Sequence, residues 1–139
     1  MNRQQKAEVK KRAKDYCEYC QSQEEYSPDT FSVEHITPIS RGGTDDIDNL
    51  ANACQGCNNR KFVSTEAVDP LTGVIVPLYH PRRDRWAEHF GWNEDYTLLL
   101  GLSPSGRATV DKLELNRKGI VNLRRLLRVQ GLHPVTIHA

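Results

Sequence analysis

The stretch that decides the fold runs from Cys17 to Lys61. It contains Cys17-Glu18-Tyr19-Cys20, Phe31-Ser32-Val33-Glu34-His35-Ile36-Thr37-Pro38, Gly42-Gly43-Thr44, Asn49-Leu50 and Cys54-Gln55-Gly56-Cys57-Asn58-Asn59-Arg60-Lys61. All four cysteines of the 139-residue chain lie in its two Cys-x-x-Cys pairs. Two residues between cysteines form a tight knuckle that lets both thiolates reach one ion, and two such knuckles complete an all-thiolate tetrahedron. Cys17, Cys20, Cys54 and Cys57 are therefore expected to hold a structural zinc. The gap between Cys20 and Cys54 exceeds that of a compact zinc ribbon, so a substructure must sit between the knuckles. Redox or disulfide pairs are the competing reading, but no thioredoxin-like βαβ pattern surrounds either pair.

Working outward, the bulk composition suits one domain of ordinary size with a thin core, because only 37% of residues are hydrophobic and 7% aromatic. A metal staple helps such a chain fold. No apolar run approaches the roughly 18–20 residues of a membrane span. Met1 to Lys14 is charged and lacks an apolar h-region, so no signal peptide is expected. A cytoplasmic location follows as the expectation, and there paired cysteines favour metal over disulfides. The net charge of +1 divides unevenly: residues 1–14 carry +5, residues 15–53 carry −8 and residues 54–139 carry +4. An acidic centre between basic arms suits a divalent cation flanked by phosphate contacts, although solvated helix faces of differing sign give the same pattern.

Taken in order, Gln4 to Tyr16 is rich in helix formers and reads as a helix. Its lysines and arginines suit either a nucleic-acid backbone or plain solvent. Gln21 to Thr30 reads as a loop. Phe31 to Ile36 reads as a short strand carrying Glu34 and His35, ended by Pro38, and Leu50 to Ala53 as a second strand. A short helix is expected from Asn58 onward. After residue 64 the texture changes, giving a division into residues 1–64 and an extension, 65–139, expected to pack on the first part. In the extension, Val74 to Tyr79 and Tyr96 to Leu102 are strand candidates, Ser103 to Gly106 a turn, and Ala108 to Asn116 and Ile120 to Gln130 helices. Gly131 is a natural C-cap.

Glu34, His35 and Asn58 can carry chemistry together. Hydrolysis of a phosphodiester needs a deprotonated water and positive charge on the phosphate and departing oxygen. Histidine titrates near neutrality and can act as the base. A hard cation, Mg²⁺ or Mn²⁺, prefers carboxylate and amide oxygens, which Glu34 and Asn58 offer. An acid–His pair alone is weak, since a histidine on a strand is more often structural.

The full motif order, Cys-x-x-Cys, acid-His-Ile-x-Pro, Gly-Gly, Asn-Leu and Cys-x-x-Cys-Asn-x-x-Lys, resembles the HNH endonuclease family. The resemblance covers Cys17 to about Lys61 and implies an α+β architecture. Its ββα-metal core would be two strands and a helix around one catalytic divalent ion, stapled by the four-cysteine zinc. It also implies roles residue by residue. His35 matches the general base, and Glu34 the acidic metal ligand before it. Asn49 matches the central asparagine that holds the loop and orients the base. Asn58 matches the third position, a metal ligand that is His or Asn, making this an HNN variant. Glu34 departs from the more usual Asp. Arg60 and Lys61 are expected either to meet phosphate or to lie exposed on the helix.

The extension carries no motif that translates into chemistry. His80, Arg82 and Arg83, and Arg124, Arg125 and Arg128, are candidates for DNA contact. Trp86, His89, Phe90 and Trp92 read as a small core rather than a stacking platform. The leading expectation is a metal-dependent endonuclease acting on DNA by a one-metal mechanism. The alternatives are a zinc-stabilised nucleic-acid-binding module without catalysis and a nuclease active only within a larger assembly. Monomer and homodimer are both compatible with the sequence.

Overall fold

The computed structural model of the chain describes residues 1–134. Over that range the fold is mixed α/β, with three two-stranded antiparallel sheets. The chain divides into two compact units. The first comprises Met1–Thr65 together with His80–Arg83, and the second comprises Glu66–Tyr79 and the described residues from Asp84 onward.

In the first unit, helix α1 (Arg3–Arg12) opens with a reciprocal cap: the Asn2 side chain accepts from the Gln5 amide, and Gln5 caps Asn2 in return. The helix ends four residues before the expected Tyr16. Lys14 and Asp15 both take left-handed backbone angles, and the amides of Lys14 and Asp15 bond back to Lys11 and Lys10. That reversal lets Tyr16 pair with Gln23 and delivers Cys17 to the knuckle. One helical turn (Glu24–Tyr26) interrupts the expected loop.

Strands β1 (Ser32–His35) and β2 (Leu50–Ala53) pair antiparallel, with Glu34 opposite Ala51 and His35 opposite Leu50. Helix α2 (Gln55–Lys61) follows, capped by the Cys54 sulfur, so it starts three residues before the expected Asn58. Val9, Tyr19, Phe31, Ile36, Leu50, Ala51 and Ala53 are buried in this unit. Fully buried Asn52 is satisfied by Lys10 Nζ at 3.2 Å and by the Tyr16 carbonyl at 2.9 Å.

In the second unit β3 (Glu66–Val68), which the sequence did not suggest, pairs with β4 (Ile75–Pro77). A one-turn helix α3 (Trp86–His89) leads into β5 (Phe90–Trp92), which pairs with β6 (Leu99–Gly101). Helix α4 (Pro104–Lys112) corrects the expected turn at Ser103 to Gly106. Ser103 is its N-cap, accepting from the Gly106 amide at 2.9 Å, and Pro104 occupies its first turn, where a missing N–H costs nothing. Helix α5 (Lys118–Val129) ends in the expected way at Gly131, whose amide bonds to Arg128 while that of Leu132 reaches Leu127. Phe90 is buried beside Tyr79 and Trp86, so the aromatic cluster is a core.

Asp69 is the polar keystone of this unit. It is solvent-inaccessible and accepts from Arg107 Nε at 2.9 Å and Nη2 at 2.8 Å, from the Leu71 amide and from the Thr72 hydroxyl. Arg107 holds its carboxyl well below the usual carboxylate range. A carboxyl depressed on folding contributes stability above its unfolded pKa, about 3.9, and loses it as pH falls toward the folded value. Asp69→Asn is therefore expected to lower the melting temperature most near neutral pH, with the deficit narrowing below about pH 4. Fluorescence reads this unit directly, because both tryptophans of the chain, Trp86 and Trp92, lie within it. An equal deficit at pH 7 and pH 3 would contradict the assignment.

Candidate functional site

The two knuckles bring the four cysteine sulfurs together. All four are buried and lie within 4.8 Å of one another. A tetrahedron with Zn–S bonds of about 2.3 Å has edges of about 3.8 Å, and Cys20 Sγ lies 3.7 Å from Cys54 Sγ. In each knuckle the second cysteine's amide points at the first sulfur, Cys20 N to Cys17 Sγ and Cys57 N to Cys54 Sγ, both at 3.4 Å. Such N–H groups favour thiolate. Burial pushes the Cys17 thiol up, which a bound cation would reverse. The donor set, spacing and burial fit a structural zinc. Among the described residues these four form the one cluster of three or more His, Cys, Asp or Glu ligand atoms that converges.

Between the knuckles, Asn49 clips a loop shut. Its Oδ1 accepts from the Thr37 amide at 2.9 Å, and its Nδ2 donates to the Thr37 carbonyl at 2.9 Å and the Thr44 carbonyl at 2.8 Å. The loop needs the Gly-Gly pair. Gly42 sits at φ 87°, and a Cβ on Gly43 would come within 1.7 Å of the Thr37 carbonyl oxygen. The loop lines a depression of about 270 Å³, with Asp46, Asp48, Asn49 and Arg83 on its walls.

His35 ends β1 beside this loop, with its side chain 25% exposed. Its Nε2 lies 2.6 Å from Asp45 Oδ1. The loop carries Asp45 there: Gln5 Nε2 donates to the Asp45 carbonyl at 2.9 Å, and the Met1 amino group meets Asp45 Oδ2 at 2.8 Å. The hydrogen bonds from His35 and the Met1 amine hold the Asp45 carboxyl below its ordinary value. Sequence reading passed over Asp45. Its signal was the acidic run after Gly43, but which acid reaches the histidine is decided by the loop's closure.

Glu34 points the other way, as neighbours on a strand do. It is buried, takes a hydrogen bond from the Tyr19 hydroxyl, and lies 3.7 Å from Lys61 Nζ. Burial pushes its carboxyl up, opposed by Lys61 and by the Tyr19 hydrogen bond. Lys61, expected at phosphate or in solvent, is instead fully buried and donates to the Ile36 carbonyl at 2.7 Å. Removing one partner of a buried pair leaves an uncompensated charge and costs about 3–5 kcal/mol. Lys61→Met is expected to destabilise the protein by that order, and Glu34→Gln added to it should recover part of the loss. A double variant no more stable than Lys61→Met in denaturant titration would contradict the coupling.

Asn58 is half-buried on α2, and among the described residues no hydrogen bond joins its side chain to Glu34 or His35. The Glu34 carboxylate is engaged by Tyr19 and Lys61, the second at 3.7 Å. Several basic candidates are engaged by other groups of the protein. Lys10 is tied to Glu24, Phe31 and Asn52, and Arg12 to the carbonyls of Ile47 and Leu50. Arg82 is ion-paired with Glu18, and burial brings its pKa down to about 10. Arg124 is buried and donates to the Thr97 and Leu115 carbonyls, so it is no phosphate contact. Arg128 lies over the Tyr96 ring at 4.4 Å. Arg12, Arg83, Arg125 and Arg128 are exposed.

Among the described residues no helix is long and apolar enough to cross a membrane. Comparison with curated proteins and comparison with solved structures each give no match. A family comparison does. Residues 17–62, which hold both knuckles, Glu34, His35, the Asn49 clip and Asn58, match the HNH endonuclease family, in agreement with the motif order of the sequence and pointing to nuclease activity on a nucleic-acid substrate.

Proposed function

We propose that the chain is a metal-dependent endonuclease that hydrolyses DNA phosphodiester bonds, with His35 as the general base on a ββα frame formed by β1, β2 and α2. The observation that carries the reading is the placement of His35 within the family-matched segment. It sits at a strand end, partly open to solvent, with one ring nitrogen engaged by an acid. In this reading His35 takes the proton from a water that attacks phosphorus in line, and the 3′ oxygen departs. Asn49 holds the loop against which the imidazole rests. Arg83, exposed beside the loop, supplies positive charge suited to a backbone phosphate.

A divalent ion, when bound, supplies charge to the phosphate and the departing oxygen. Mg²⁺ or Mn²⁺ dependence belongs to this proposal through the family match. Glu34 and Asn58 are the ligands that the resemblance assigns, and ligation by Glu34 requires Lys61 to release its carboxylate. A cytoplasmic setting, which keeps thiols reduced, suits the zinc knuckles.

The closed Glu34 favours one second reading, a zinc-stabilised binding module without catalysis. Closed-circular DNA separates the two, since only an endonuclease opens a circle that has no ends. Opening with Mg²⁺ or Mn²⁺, and retarded mobility without opening when the zinc-loaded protein is given neither ion, supports the enzyme. Retarded mobility alone under all three conditions supports the binding module.

A further inference from the structure

We propose that Asp45 is the positioning residue of His35: its carboxylate accepts the Nε2–H, fixing the tautomer that leaves Nδ1 as the proton-accepting atom. The inference rests on the nuclease reading for its catalytic consequence but not for its structural content. An ionised carboxylate has no hydrogen to give, so at 2.6 Å the ring nitrogen must be the donor. A neutral imidazole carrying its hydrogen on Nε2 has its lone pair on Nδ1. Among the described residues no hydrogen bond engages that atom.

The contact is more than a chance surface pair, because both ends are fixed. His35 is held by the β1–β2 register opposite Leu50. Asp45 follows Thr44, whose carbonyl is gripped by Asn49 and whose hydroxyl accepts from the Asp46 amide at 3.2 Å, while Gln5 of α1 takes the Asp45 carbonyl. Met1 and His35 occupy separate oxygens of the carboxylate, Oδ2 and Oδ1. This gives the Asn49 clip and the Gly-Gly turn a chemical purpose: they carry Asp45 to the histidine. A half-exposed ion pair that merely decorated the surface would need no such support.

The test uses the full chain and two readouts. Long-range proton–nitrogen correlation spectra of ¹⁵N-histidine-labelled protein, at a pH where His35 is neutral, report which ring nitrogen carries the hydrogen. The wild type is expected to show His35 with hydrogen on Nε2. Asp45→Ala is expected to give a mixture of tautomers, with Asp45→Glu restoring the single form. On closed-circular DNA at saturating concentration, Asp45→Ala should slow cleavage on the order of 10–100-fold, a part of the roughly 10²–10⁴-fold that a positioned general base contributes, with DNA binding unchanged. Asp45→Asn, which keeps an acceptor oxygen, should lie between, and both variants should melt within a few degrees of the wild type. A single Nε2–H tautomer persisting in Asp45→Ala would overturn the proposal, as would a mixture already present in the wild type or an unchanged rate in an active enzyme. If the wild type cleaves nothing, the nuclease reading fails, and the tautomer shift alone still decides what Asp45 does to His35.

Discussion

Removal of zinc by a strong chelator is expected to unfold the unit formed by Met1–Thr65 and His80–Arg83. A unit of that size has a net stability of about 3–10 kcal/mol, at roughly 0.05–0.15 kcal/mol per residue. Structural zinc in small domains contributes about 10–16 kcal/mol of apparent binding free energy, which in such systems is folding free energy. The metal term exceeds the margin, so the unit does not survive its loss. The anatomy agrees: the knuckles flank β1 and β2 in sequence, and the Cys54 sulfur also caps α2. Four buried sulfurs without a cation are left as thiols that fill space, or as thiolates that repel. Hydrogen exchange at the amides of Leu50 and Ala51, fully buried on β2, reads the effect. Their protection should collapse with chelator and return with added Zn²⁺, and Cys57→Ser should behave like the chelated protein. Protection that persists while metal analysis shows no zinc would contradict the assignment.

The second large effect concerns the base. His35→Ala is expected to slow DNA cleavage by about 10²–10⁴-fold, the usual contribution of a positioned general base. It should leave DNA binding and melting temperature near the wild-type values, because the ring is partly exposed and belongs to no buried network. This separates it from Lys61→Met, whose loss of activity would follow from loss of fold. A His35→Ala protein that cleaves within a few-fold of the wild type would place the base elsewhere.

Much of the first unit was legible because its signals are local or are carried by chemistry. Knuckle spacing predicts that four sulfurs converge, and they lie within 4.8 Å of one another. The span Leu50–Ala53 reads as a strand in isolation and is one. Gly42-Gly43 marks a turn that no side chain could fill at the second position. What stayed hidden depends on long-range closure. Nothing near Lys61 in sequence says that its ammonium is drawn under β1 to the Ile36 carbonyl, twenty-five residues away. Arg124 looks like a phosphate ligand on an amphipathic helix until Thr97, ahead of β6, and Leu115, between α4 and α5, supply carbonyls to it. The early end of α1 has a similar cause, since Lys14 and Asp15 accept left-handed angles only because Tyr16 and Cys17 are wanted elsewhere. The pair Glu34-His35 shows both sides at once. Its position on a strand was readable. Where Glu34 ends up, between Tyr19 and Lys61, was not.

The nuclease assignment is tested most directly by supercoiled plasmid incubated with zinc-replete protein in Mg²⁺, in Mn²⁺ and with neither ion added, beside His35→Ala under the same conditions. Metal-dependent conversion to open or linear forms is expected of the wild type, and little or none of His35→Ala. Equal conversion by the two proteins, or no conversion by a wild type that still binds the DNA, would contradict the assignment.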